Sequence, residues 1–148
     1  MSWTIAAGAV AVSAWLLSGE PEHGDVVDAT YDELASEVAA SATVYADHVD
    51  DAPNSEAEID GVSHVPDVIV KSAVDNNLVI EVETEGGLED DPQHALEQLN
   101  DFSTAGYRRL LVVPEAHAEA GEAFVEEYGD ELSGQYYLAS PATVTEFL

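Results

Sequence analysis

The chain has 148 residues, 46% of them hydrophobic, which is enough for one domain around a single core and too apolar for a disordered chain. Three Lys and Arg against 31 Asp and Glu give a net charge of −28, so no conventional basic patch for nucleic acid or anionic lipid can be assembled. Cysteine is missing from the sequence, which excludes disulfides, thiolate zinc sites and cysteine nucleophiles together.

Trp3–Leu17 is an uncharged run rich in Ala, Gly and Val, closed by Ser18-Gly19-Glu20-Pro21. It is shorter than the roughly 18–20 residues of a membrane-spanning helix, and no Lys or Arg precedes it as a secretory signal requires. Residues 1–19 therefore read as an apolar N-terminal segment, either a packed or oligomer-forming element or a short membrane anchor or signal remnant. Residues 20–148 read as one α/β domain, in a cytoplasmic protein. Leu34, Val38, Ser41, Ala42 and Tyr45 recur at helical spacing and predict a helix over Asp28–Asp47, with Thr30 and Glu33 as its capping box.

Asp50–Ser55 carries Pro53 and reads as a loop, and Glu58–Val62 as a short strand. His64–Val70 and Leu78–Thr84 read as two strands of a hairpin turning at Asp75-Asn76-Asn77. Glu85–Pro92 is a Gly- and Asp-rich connection. A helix then starts at Pro92, with Ala95, Leu96, Leu99 and Phe102 on its apolar face, and stops at Gly106. Arg108–Pro114 has the unbroken apolar character of a strand buried on both faces. A helix over Ala116–Leu132, a strand Gln135–Ala139 and a C-terminal Thr143–Leu148 complete the order α-β-β-β-α-β-α-β around a central mixed sheet flanked by helices.

The acids run from Glu20 to Glu146 between apolar stretches, so they belong to a folded surface and not to a tail. The composition resembles that of proteins from extreme halophiles, which work in molar KCl. There the Debye length is about 3 Å and self-repulsion is largely screened. Counterion release then contributes little to nucleic-acid binding, and DNA can be held by hydrogen bonds and metal ions instead.

The chemistry-bearing pattern lies on the hairpin. Asp67, Ile69 and Lys71 alternate onto one strand face, as do Glu81 and Glu83 on the next strand, so carboxylates from both strands converge if the hairpin pairs through Asn76. Carboxylates brought together without enough cations are costly unless they bind a metal or take up protons. Oxygen ligands point to Mg²⁺ or Mn²⁺. The five histidines, His23, His48, His64, His94 and His117, show no paired metal spacing.

Pro66-Asp67, a hairpin, then Glu81-Val82-Glu83, a helix and the strand Arg109-Leu110-Leu111-Val112-Val113 resemble the PD-(D/E)xK nuclease superfamily. The resemblance is clearest over Val65–Pro114, and it implies a restriction-endonuclease-like fold, hydrolysis of DNA phosphodiester bonds and, as in many such proteins, action as a homodimer. It assigns metal binding to Asp67 and Glu81, with the backbone carbonyl of Val82 as a further ligand. The motif's final Lys is replaced by Glu83. Lys71, the only lysine, is either a relocated motif Lys or a solvated residue near the strand end. Gln93, His94, Glu97 and Gln98 occupy the helix where related nucleases place a polar group toward the metal, and Glu37 stands on the opening helix. Arg108 and Arg109 either touch phosphate or pair with acids, while His64 is structural. With Glu83 in the Lys position, an inactive nuclease-fold binding or assembly module, tethered through Trp3–Leu17, is the alternative to an enzyme.

The charge makes folding salt-dependent. Lowering KCl from 1 M to 0.1 M lengthens the Debye length from about 3 to 10 Å, and circular dichroism is expected to show a lower melting temperature and loss of structure on dialysis. Equal melting temperatures across that range contradict the halophilic reading.

Overall fold

The computed structural model describes residues 3–5, 22–47, 49–55, 59, 62, 64–102 and 106–148. Its centre is a mixed sheet. Strands β2 (Thr43–Ala46), β3 (Val68–Lys71), β4 (Asn77–Val82), β5 (Tyr107–Val112) and β6 (Tyr136–Ala139) are joined at the outer edge by a short β1 (Trp3–Ile5), in the spatial order β1-β6-β5-β4-β3-β2. The hairpin β3–β4 is antiparallel, as is β2–β3, whereas β4–β5, β5–β6 and β1–β6 are parallel. Parallel neighbours need crossovers, and helices supply them on one face. Helices α2 (Glu85–Asp90) and α3 (Pro92–Asp101) lead from β4 to β5, and α4 (Ala118–Tyr128) leads from β5 to β6.

The other face carries α1 (His23–Glu37). Alternation along the central strands sends Val68, Val70, Leu78, Ile80, Val82, Leu110 and Val112 toward Val26, Val27 and Leu34 of α1 and toward the C-terminal Val144 and Phe147. The intervening residues Leu111, Val113 and Leu138 meet Leu88, Ala95, Leu99, Phe124 and Val125 on the crossover side, where Ile69, Val79 and Phe102 form a smaller cluster. The central strands are buried on both faces. The α/β class with a mixed sheet between helices is as expected from the sequence.

Several boundaries differ from the sequence reading. The first helix begins at His23, because Glu22 and Asp25 form the capping box, and Thr30 sits inside it with its hydroxyl bonded to the Val26 carbonyl at 2.7 Å. It stops at Glu37, where Val38 turns extended. Thr43-Val44-Tyr45, read as the end of that helix, instead pairs with Val68–Lys71, the placement that suits β-branched and aromatic side chains. Ile59 and Val62 are not in a strand, and the rest of Glu58–Val62 lies outside the described residues. Glu85–Asp90 is helical where a loop was expected: Thr84 caps it and Leu88 is buried beneath it. The segment 1–19 contributes a strand to the sheet through Trp3–Ile5, and its remaining residues lie outside the described ones. Among the described residues no helix is long and apolar enough to cross a membrane.

A candidate carboxylate–histidine metal centre

The site forms where the hairpin and the parallel strands end together. Val68 opposite Ile80 places Asp67 across from Glu81. The Asp67 amide donates to the Ile80 carbonyl at 3.1 Å, and the Val82 amide donates to Asp67 Oδ2 at 2.8 Å. The backbone around Asp67 is held from outside the hairpin as well. Ser55 Oγ donates to the Pro66 carbonyl at 2.6 Å and the Asp47 amide to the Asp67 carbonyl at 2.9 Å. Asp67 is thus fixed by both main chain and side chain before any ligand is considered.

Glu81 and Glu83 leave β4 on the crossover face, alternating with the core residue Val82. Glu81 is only 2% exposed, and its Oε2 has no hydrogen-bond partner. Glu83 is buried beside Gly87, where a Cβ would run into its carboxylate, so glycine in the first turn of α2 makes room for it. Two histidines arrive from opposite layers. His23, the first residue of α1, sets Nε2 3.3 Å from Asp67 Oδ1. His94, in the first turn of α3, brings a ring nitrogen within 4.8 Å of carboxylate oxygens of both Glu81 and Glu83. The turn that carries it is set by Pro92 and by the Asp91 side chain, which accepts the His94 amide at 3.2 Å.

The electrostatics follow from crowding. Burial, then the charges of Asp67 and Glu83, push the Glu81 carboxyl well above the usual carboxylate range. Glu83 is also pushed up, chiefly by burial and further by Asp67, although its hydrogen bond with Glu81 and the neighbouring His23 and His94 act against the rise. His23 is raised by its hydrogen bond to Asp67, opposed by partial burial and helped by the Asp67 and Glu83 charges and the Val82 backbone. A buried oxygen without a donor costs about 1–3 kcal/mol. A proton or a cation shared among these carboxylates removes that cost.

Asp67, Glu81 and Glu83 therefore stand together as the hairpin pairing suggested, and Val82 meets them through its amide, which is bonded to Asp67. Lys71 does not join them: it lies four residues beyond Asp67 along β3, roughly 13 Å away, with its ammonium 5.6 Å from the Tyr45 ring centre. Glu37 is at the far end of α1 from His23, about 21 Å along the axis, and exposed. Arg109 is buried and spent on backbone, donating to the carbonyls of Leu99 at 2.6 Å, Ser133 and Gln135, so it ties α3 to the segment before β6. Arg108 lies 5.8 Å from the Tyr137 ring at the opposite end of β5. His64 is structural, bonded through its amide and ring to Asp101 at 2.8 and 3.0 Å. On α3, Gln93 and Glu97 are exposed, whereas Gln98 is buried with Oε1 unpartnered one turn beyond His94. Sequence spacing gave no sign of His23. Comparison of the chain with protein-family models, curated proteins and solved structures gave no match.

A carboxyl raised by folding stays protonated in the native state where the unfolded chain has already ionised. Its stabilising share is present below the ordinary value of about 4.3 and is lost as pH rises toward the folded value. His23, also raised, contributes stability below about 6.5 that is lost as pH rises through its folded value. The metal-free protein in molar KCl is therefore expected to lose melting temperature between pH 5 and 8. Glu81→Gln should flatten that slope and gain stability relative to wild type as pH rises. Parallel curves for the two proteins contradict this account of the cluster.

Proposed function

We propose that the chain is a divalent-metal-dependent endonuclease of the PD-(D/E)xK kind, hydrolysing DNA phosphodiester bonds within a restriction-endonuclease-like fold. The observation that carries this reading is the meeting of Asp67, Glu81 and Glu83 at the carboxyl edge of a mixed sheet, with Asp67 bonded to the amide of the residue between the two glutamates. The unpartnered Glu81 Oε2 and the oxygen-rich donor set fit a hard divalent cation. Asp67 and Glu81, with the Val82 carbonyl, would hold Mg²⁺ or Mn²⁺. When bound, such an ion polarises the scissile phosphate and lowers the pKa of a coordinated water.

The remaining work falls to the chain's own groups. Glu83 takes the place of the family's Lys and orients the attacking water, accepting its proton as the bond from phosphorus to the leaving oxygen breaks. His23 holds the Asp67 carboxylate in one orientation from the start of α1. Molar salt screens the repulsion between a chain of charge −28 and a phosphate backbone. Two copies acting on one duplex is the assembly this reading carries.

One observation favours the non-catalytic alternative, a binding or assembly module on the same fold. All three Lys and Arg lie away from the cluster, Lys71 against Tyr45, Arg108 against Tyr137 and Arg109 among carbonyls. Cleavage of plasmid and branched DNA in molar KCl with Mg²⁺ or Mn²⁺ separates the two. Wild type is expected to cut, Glu83→Gln to lose about 100-fold or more, Asp67→Asn to lose at least as much, and Glu83→Lys to keep or gain activity. A protein that binds the metal and cuts none of these substrates belongs to the module reading.

A further inference from the structure

We infer that Glu81, Glu83 and His94 form a mixed nitrogen–oxygen site that takes a first-row transition-metal ion, Mn²⁺ or Zn²⁺, in preference to Mg²⁺. The inference rests on reading the cluster as a cation site and is independent of whether DNA is cut. Three donor atoms, two carboxylate oxygens and one imidazole nitrogen, lie within 4.8 Å of one another. Ligands at about 2.1 Å from a common ion stand at most about 4.2 Å apart. His94 is exposed, so its ring can close the remaining gap by a small rotation without disturbing the core. The carboxylates cannot move away: Glu81 is fixed in a central strand at 2% exposure, and Glu83 is lodged against Gly87.

The second observation pointing to a ligand is the orphaned oxygen. Glu81 Oε2 is buried and unpartnered, on one of the two carboxylates that group with the His94 ring. A cation accepted there satisfies that oxygen and neutralises charge between Glu81 and Glu83. Asp67 flanks the group, already engaged with the Val82 amide and His23. Mg²⁺ prefers an octahedron of oxygens and keeps most of its waters, whereas imidazole suits the later divalent metals. Three protein ligands from one carboxylate pair and one histidine also leave coordination positions open, the composition expected of a site that does chemistry and not merely holds the fold. The histidine comes from the helix layer and the carboxylates from the sheet. An ion there would therefore tie α3 to β4.

The test is metal binding by the full chain in molar KCl at pH 7.5, measured by calorimetry with MgCl₂, MnCl₂ and ZnCl₂, together with pulsed electron paramagnetic resonance of the Mn²⁺-loaded protein. Mn²⁺ and Zn²⁺ are expected to bind at least about 10-fold more tightly than Mg²⁺. His94→Ala should weaken them by about 10–100-fold, leave weak Mg²⁺ binding unchanged and abolish the imidazole nitrogen coupling to Mn²⁺. His94→Asn, which leaves the exposed position polar, should give the same loss. His23→Ala should keep the nitrogen coupling. Equal affinities for Mg²⁺ and Mn²⁺, or Mn²⁺ binding and nitrogen coupling unaltered in His94→Ala, overturn the inference. Its failure is distinct from that of the nuclease reading. Metal-supported cleavage by a protein whose Mn²⁺ and Zn²⁺ binding is indifferent to His94 sinks this site alone, and His94-dependent metal binding without cleavage sinks the nuclease alone.

Discussion

The register of the β3–β4 hairpin, with Val68 opposite Ile80 and so Asp67 set beside Glu81, is the constraint on which the rest of the molecule turns. One backbone register, fixed by hydrophobic alternation on both strands, brings two acids face to face and a third, Glu83, one pleat away. A slip by one residue would turn Val68, Val70, Leu78 and Ile80 away from α1 and carry the acids to the other face. The apolar core and the charged cluster are therefore specified by the same register. The core supplies the free energy that holds the carboxylates together against their own repulsion.

Around that register the fold supplies fixings from every layer. Ser55 and Asp47 anchor the backbone at Pro66 and Asp67, α1 delivers His23 and α3 delivers His94. Gly87 keeps clear the space that Glu83 occupies. Polar groups buried this completely are retained at a cost in stability, which is the pattern expected of a site kept for what it binds. The acidic exterior is a separate matter. Its charge is spread over the surface and governed by salt, whereas the cluster is shielded from salt by the protein around it.

The acids of the site were legible because Glu81 and Glu83 interrupt an apolar strand, where surface charge has no place, and because Pro66-Asp67 stands one hairpin away. The hairpin, the buried strand β5 and the crossover helices α3 and α4 were legible from periodicity. Strand β2 was not: Thr43–Ala46 continues the helical spacing of Leu34 and Val38, and only pairing with β3 decides its conformation. Nor was α2, whose Gly86-Gly87 reads as a turn until Thr84 caps it and Leu88 is seen to be buried. His23 was hidden for a topological reason. It lies on the helix layer opposite the crossovers, so no local spacing links it to Asp67 or Glu81, and His94 was reached only through the resemblance, not through spacing. Lys71 was misleading in the opposite way, being near in sequence and on the right face but at the wrong end of the strand.

Whether this crowd of carboxylates takes a cation or only shares protons is a question of what occupies the space between Glu81, Glu83 and His94. Diffraction from crystals grown in molar KCl and soaked in MnCl₂, recorded on both sides of the manganese absorption edge, tests it directly. An anomalous peak within coordination distance of Glu81, Glu83 and the His94 ring is the predicted result. The contradictory result is a map without such a peak, in which Glu81 and Glu83 stay hydrogen-bonded to each other and His94 points to solvent.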